Sequence, residues 1–391
     1  MLKASDPTLA EQLVGRCYEG YRDRDCDGKK SRDCTMKSHI IAPLTSIRGF
    51  AAIFVVMYHI KDRLGDFAIQ EYIPALSYGW LGVDFFFVLS GFILSYVYMP
   101  LLRRSGFSMF DFLSARLARI YPVHFATIII WIGLGAWSGF LWSSERFGVE
   151  GLVANVTLVQ SWHVLPENTW NFPAWSISAE WFAYLLFPIL ALAANRLRSH
   201  WFLDATLVVL LIVSLQAFTE ILPGRKFNWS YDWGNVRVVL EFTAGIFLYR
   251  IHERLNQSYV WDIVGTASIV TIAALLTIKP AIPLIQVETL VVLLAALTIL
   301  ALSRMQGLAR RVLSMAPLTY LGRISYSMYM WHAAPLFVIT RYIRRNFEGE
   351  LSFEQGATVF LVYLTLVMLG AVLLYHFVEK PMQRVLRRQG A

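Results

Sequence analysis

The chain has 391 residues, 57% hydrophobic and only 16% charged, well below the quarter usual for a soluble protein. That balance excludes a soluble globular enzyme and indicates a polytopic membrane protein. The net charge of +8 implies no nucleic-acid partner, because the positive residues sit in short loops between apolar runs, where they orient membrane spans.

The first 38 residues are polar and lack the apolar core of a signal peptide. They read as a cytoplasmic tail, disordered, or absent altogether if Met36 is the true start. All three cysteines (Cys17, Cys26, Cys34) lie in it. Their spacing fits no tight zinc pattern, and a cytoplasmic segment does not favour a disulfide framework.

Apolar runs long enough for a bilayer then predict an all-α bundle of about ten spans: 40–61, 80–99, 117–141, 174–195, 202–222, 236–252, 260–278, 284–303, 324–342 and 356–378. Residues 39–380 read as one membrane domain, and 381–391 as a short basic cytoplasmic tail. Region 142–173 is a long connection in which 151–160 is expected to lie in the interface or dip into the protein. With the N-terminus inside, the inner loops hold sixteen Lys and Arg and the outer loops nine. That asymmetry places both termini in the cytoplasm.

The first span, LTSIRGFAAIFVVMYHI, carries Arg48 and His59 eleven residues apart. That is about three turns, so both fall on one helix face, roughly 16 Å apart along the axis. Charged and titratable groups inside a bilayer are costly unless they meet a partner or a cavity. For His59 the plain alternative is an inert interfacial histidine; the Arg48 on its face favours a general base within reach of a hydroxyl. Arg48 itself either faces inward or snorkels to the inner headgroups, and Gly49 permits a close helix approach or a local break.

In the third span Arg116 and Arg119 (RLARIYPVH) stand at i, i+3. They are either an inside flank or a clamp for the phosphates of a cytoplasmic donor. Glu180 (FPAWSISAEWFAYLLFP) shares a face with Ser176, follows an Asn171–Pro173 helix start, and has no partner on its own helix. It needs a partner from another helix, and His59 and Arg48 are available in principle. Arg237 and Glu241, at i, i+4, read as a structural ion pair, and Asp84 as a weaker intramembrane carboxylate. His332 is mid-span by count and suits the same cavity, whereas His376 reads as structural. Seven of thirteen tryptophans (Trp80, Trp142, Trp162, Trp170, Trp175, Trp229, Trp233) fall on or near the outer side, an excess that would suit stacking on sugar rings. HExxH, CxxC, P-loop and Gly-rich dinucleotide patterns do not occur, so neither a metal nor nucleotide hydrolysis is expected.

These stretches, in order, resemble the acyltransferase 3 family of integral-membrane enzymes that acylate, mostly acetylate, glycans and other acceptors. The matching pieces are LTSIRGFAAIFVVMYH, GVDFFFVLSGFIL, RLARIYP, PAWSISAEWFAYLLFP, RVVLEFTAG, LGRISYSMYMWH and HFVEKP. The resemblance implies a catalytic His59 with Arg48, and an acyl-CoA side served by Arg116 and Arg119. The family's Trp–Ser–Glu stretch matches Trp175, Ser176 and Glu180, with one carboxylate where two are common, since Trp181 follows Glu180. It also implies the stand-alone form of the family, without a hydrolase-like extension. The expectation is a cytoplasmic-membrane O-acyltransferase that moves an acyl group, expected to be acetyl, from acyl-CoA to a hydroxyl of a glycan or glycolipid. His59, Arg48 and Glu180 would be catalytic, and Trp175, Ser176, His332 and Asp84 would bind the acceptor. The rival class is a proton-coupled transporter or exporter, which also uses intramembrane Arg, His and Glu.

Overall fold

Apolar segments can cross a bilayer only by closing their own backbone hydrogen bonds, and every regular element among the described residues is helical. The computed structural model describes residues 41–104, 106–142, 145–198, 200–221, 230–231, 233–278, 285–347 and 349–389. The tail with its cysteines, Met36 and Trp229 lie outside them. The principal helices are α1 (Ala42–Ile60), α2 (Leu81–Arg103), α3 (Met109–Ser138), α4 (Trp175–Arg196), α5 (Trp201–Ile221) and α6 (Gly234–His252). They continue with α7 (Val260–Ile278), α8 (Val287–Arg304), α9 (Ala316–Trp331), α10 (Ala333–Asn346), α11 (Phe353–Leu374) and α12 (Lys380–Gln389).

Among the described residues eight helices are long and apolar enough to cross a membrane: α1–α5, α7, α8 and α11. The other two expected spans depart from that pattern for physical reasons. In α6 a helix of 19 residues carries Arg237, Glu241 and Arg250, which dilute its hydropathy. The expected span 324–342 is two helices, broken at His332. Pro335 explains the break: it has no N–H for the carbonyl of Trp331, four residues back, and its ring crowds that carbonyl. Around the break Asn171 Nδ2 donates to Met330 O at 3.0 Å and Tyr363 OH to His332 O at 3.4 Å. Asn171 therefore secures this break; its side chain does not cap the turn at Phe172–Ala174 as expected.

Two close helix contacts fix the frame. Gly49 on α1 and Gly322 on α9 face each other, and a Cβ on Gly322 would overlap the carbonyl of Thr45. Gly91 on α2 and Gly245 on α6 do the same, with Phe242 O and Val88 O in the way of any side chain. Small residues let helices approach where lipid supplies no hydrophobic drive. Gly49 thus serves close approach, not a break.

One end of the bundle is tied by charge. Arg103, ending α2, makes a bidentate pair with Glu253 after α6 (2.7 and 2.9 Å) and donates to Asn195 near the end of α4 at 2.9 Å. Asp204, opening α5, lies 3.2 Å from Arg250 and 3.5 Å from Arg254. Arg304, ending α8, donates to His252 O from Nε at 3.1 Å. Helix C-termini favour these cations, and the links set α2, α4, α6 and α8 running towards one end while α5 starts there. At the other end, connection 142–173 holds four non-glycine residues with left-handed backbone, Trp142, Leu158, His163 and Trp170. Its helix Val149–Val156 does dip into the protein: Asn155 is buried, and its carbonyl accepts from His124 Nε2 at 2.7 Å.

Candidate active site

A cavity of about 130 Å³ lies between α1, α2, α3, α4 and α9. Into it project Arg48, Ser90, Arg116, Arg119, Ser176, Glu180, Tyr184, Tyr326 and Tyr329, against walls that include Phe86, Phe87, Ile93 and Ile177. A larger apolar crevice of about 290 Å³ between α1, α2, α7 and α8 has Thr298 as its one polar side chain, so it carries no chemistry.

Each charged group in the cavity is held differently. Glu180 Oε1 accepts from Ser90 Oγ at 2.7 Å and from Tyr184 OH at 2.5 Å. The partner required from another helix is thus a serine on α2, while Arg48 faces the same space. Arg48 points into the protein and does not snorkel. Arg116 leans on Tyr98, with its guanidinium 5.5 Å from the ring centre and Nη2 donating to the hydroxyl at 3.3 Å. Its Nε is buried without a hydrogen-bond partner. Arg119 donates to Glu379 Oε1 and lies 5.2 Å from the Tyr326 ring. Glu379, 1% exposed, also accepts from Ser327 Oγ at 2.6 Å.

Glu379 escaped the sequence reading because EKP ends the last apolar run and looks like an ordinary polar flank. What turns it inward is the π-helical turn Tyr375–Glu379, where one extra residue per turn precedes Pro381. The expectation that Glu180 has no partner on its own helix fails: Tyr184, its i+4 neighbour on α4, donates to it, because a phenol reaches along a helix face as well as a charged side chain does. Ser90 was hidden in an apolar run.

His59 does not join this cavity. It is half-buried at the far end of α1, where its Nδ1–H donates to Val55 O at 2.8 Å. Its ring centre is 4.9 Å from Phe172 and 4.9 Å from His332. Arg48 and His59 share a helix face but serve opposite ends of the site. Tyr329 bridges the two: its hydroxyl meets Ser176 Oγ at 2.8 Å inside the cavity, and its ring lies 5.8 Å from that of His332.

Asp84 and Trp175 are occupied elsewhere. Arg237 donates to both carboxylate oxygens of Asp84, from Nε at 2.7 Å and also from Nη2. Trp80 and Trp175 lie 5.3 and 5.7 Å from the same guanidinium. The expected Arg237–Glu241 pair is replaced by this one, because Asp84 comes from the facing helix α2; both Glu241 oxygens are buried without hydrogen-bond partners. The outer tryptophans lose most of their suitability for sugar stacking as well. Trp170 is fully buried, and Trp142 is the exposed member of the described set. His376, expected to be structural, is exposed and meets Tyr320 OH at 3.0 Å.

A family model described as an acyltransferase domain, acyltransferase 3, matches residues 42–376. The chain belongs to the acyltransferase 3 family. It is 32% identical over 382 residues to the acyltransferase MdmB of Streptomyces mycarofaciens, covering 88% of this chain and 92% of that protein. It is 23% identical over 372 residues to the O-acetyltransferase OatA of Staphylococcus aureus, covering 87% of this chain and 57% of OatA. The chain therefore spans little more than half of OatA. No solved structure matches it significantly. This acyltransferase thus draws its ionisable groups from helices far apart in sequence, with one tyrosine between the arginine-lined cavity and the histidine pair.

Proposed function

We propose that this acyltransferase transfers an acyl group, acetyl in the simplest case, from acyl-CoA to a hydroxyl of a glycan or glycolipid, with His59 as general base. Membership of the family makes it a transferase. The observation that carries the finer reading is the polarity of the site: three arginines converge at one end and an imidazole with a free nitrogen stands at the other. A CoA thioester carries its phosphates at one end and its acyl group at the other, and guanidinium groups suit phosphates. Arg116 is the stronger candidate for that contact, since Arg119 is already held by Glu379.

The reaction balances on groups present in the chain. His59 donates Nδ1–H to a backbone carbonyl, so in the neutral ring Nε2 carries the lone pair. That nitrogen takes the hydroxyl proton as the acceptor oxygen bonds to the acyl carbon. The carbon–sulfur bond breaks, and the departing thiolate recovers the proton. Glu180 and Arg48, which line the cavity with Arg116 and Arg119, orient the stretch of the donor between its phosphates and its thioester. Orientation with the arginine end in the cytoplasm, both termini inside and residence in the cytoplasmic membrane fit the loop charges and a cytoplasmic donor.

Mass spectrometry of surface glycans from cells expressing wild type, His59→Ala or Arg116→Ala tests this reading, with each protein quantified in the membrane. An acyl mass is expected with wild type alone. Purified protein should transfer acetyl from acetyl-CoA, with His59→Ala lowering turnover roughly 100-fold or more and Arg116→Ala acting mainly through KM. Normal turnover by His59→Ala would remove the base from the mechanism.

A further inference from the structure

His332 sits where the helix breaks, and its chemistry repeats that of His59. Its Nδ1–H donates to Tyr329 O at 2.6 Å, as the Nδ1–H of His59 donates to Val55 O. A carbonyl can only accept, so both rings, when neutral, are fixed in the same tautomer and both keep a lone pair on Nε2. His332 is fully buried, yet its Nε2 has no hydrogen-bond partner. Buried polar atoms are nearly always satisfied, and an exception calls for a reason. Here the ring centres lie 4.9 Å apart at a 41° tilt, so two imidazoles whose N–H donors are already used are neighbours, and neither has a proton to offer the other.

We propose that His332 is a positioning residue for His59, its free Nε2 steadying the imidazolium that His59 becomes when it takes the acceptor's proton. The inference rests on His59 as the base. Before transfer the Nδ1–H of each ring is held by a backbone carbonyl, so no imidazole proton is available to the other ring. Transfer supplies one: the O–H bond of the acceptor breaks, His59 Nε2 gains N–H, and the negative end of the His332 dipole is already in place. The proton leaves with the thiolate, which returns both rings to their starting state. A group fixed in advance against a charge that appears only during reaction stabilises the transition state without reorganising.

The surroundings leave that role to His332. Phe172, 4.9 Å from His59, is apolar. From α11 Tyr363 is turned to backbone carbonyls, those of Val56 and His332, and from α9 Tyr329 is engaged with Ser176 and Pro173. On α1 and its following turn, Tyr58 lies edge-on to the His59 ring, Lys61 is paired with Asp62, and Arg63 donates to His59 O at 2.8 Å. The cations there disfavour an imidazolium. Among the described residues no carboxylate is hydrogen-bonded or ion-paired to either imidazole.

Two substitutions separate positioning from simple support of the helix end. His332→Asn keeps a donor where Nδ1–H reaches Tyr329 O but places nothing at Nε2, whereas His332→Gln carries its amide oxygen out to that position. Positioning predicts that Asn lowers kcat roughly tenfold or more with little change in the KM for acetyl-CoA. It also predicts that the acid limb of the kcat/KM–pH profile moves to lower pH, because the imidazolium loses support. Gln should recover most of the rate and return the limb. A merely structural His332 predicts the reverse order, or equal losses with the limb unmoved, and either result overturns the proposal. Should Asn fail to reach the membrane, the Gln variant decides alone: activity near wild type upholds the role and an inactive, folded Gln protein ends it. Full activity of His59→Ala in the same assay would instead sink the reading on which this one rests.

Discussion

At the residue scale the buried charges divide into those that stabilise and those kept at a cost. Arg237 and Asp84, 1% and 0% exposed, are paired through two hydrogen bonds and flanked by two indole rings. Removing one partner of such a pair costs about 3–5 kcal/mol, because the other charge stays buried and uncompensated. Asp84→Ala should therefore lower the melting temperature of the detergent-solubilised protein sharply and deplete it from the membrane. Glu241 is the opposite case. Its oxygens are buried without partners beside a guanidinium already claimed by Asp84, so a neutral residue of similar volume removes a desolvation cost of about 1–3 kcal/mol. Glu241→Met should melt at or above the wild-type temperature, and a large fall would mean that its carboxylate is a working part of the Arg237 cluster. That Arg237 needs a carboxylate is readable in sequence; which carboxylate is not. Spacing offers the i+4 neighbour on the same helix, but the choice between Glu241 and Asp84 depends on which helix faces α6, a tertiary matter.

At the scale of elements, the site is held by how closely α1 and α9 approach. Arg48 and His59 ride on α1, Tyr329 on α9, and His332 at its end, so their spacing is the spacing of these two helices. Gly322→Val would drive a side chain into the carbonyl of Thr45 and part them. Overpacking of this kind costs about 1–3 kcal/mol, and acyl transfer should fall much further than the amount of folded protein. Gly133→Ala on α3 is the control, since nothing lies within 4 Å of the added Cβ. It should be neutral, or stabilising by about 0.5–1 kcal/mol through helix propensity. Most helices were legible because twenty apolar residues in a row have few other uses. Hydropathy runs unbroken through His332 although Pro335 announces the break, because one proline barely alters the average over a span. Asn171, two residues before Pro173, has the look of a cap for the same kind of reason, a local rule overridden by the Met330 carbonyl that the break set free.

At the scale of the whole molecule, the ion pairs turn a statistical argument about loops into a geometric one. Arg103, the Arg250–Arg254 pair and Arg304 come from separate stretches of chain, yet their partners Glu253, Asp204 and the carbonyl of His252 lie at one end of the bundle. Gly307 is there too, its N–H bound by Asp262 at the start of α7. His163 and Trp233 meet edge to face at the opposite end, before α6 crosses to His252. If the arginine-rich end faces the cytoplasm, as positive-inside loops require, the arginine cavity opens toward the side that supplies acyl-CoA. Labelling tests this directly. With Cys17, Cys26 and Cys34 changed to Ser, single cysteines at Val164, 55% exposed, and Leu308, 74% exposed, mark the two ends. A membrane-impermeant maleimide should label Val164→Cys in intact cells and Leu308→Cys only after permeabilisation. The opposite pattern would leave the arginines facing a compartment without CoA thioesters, and the donor would have to be sought at the histidine end.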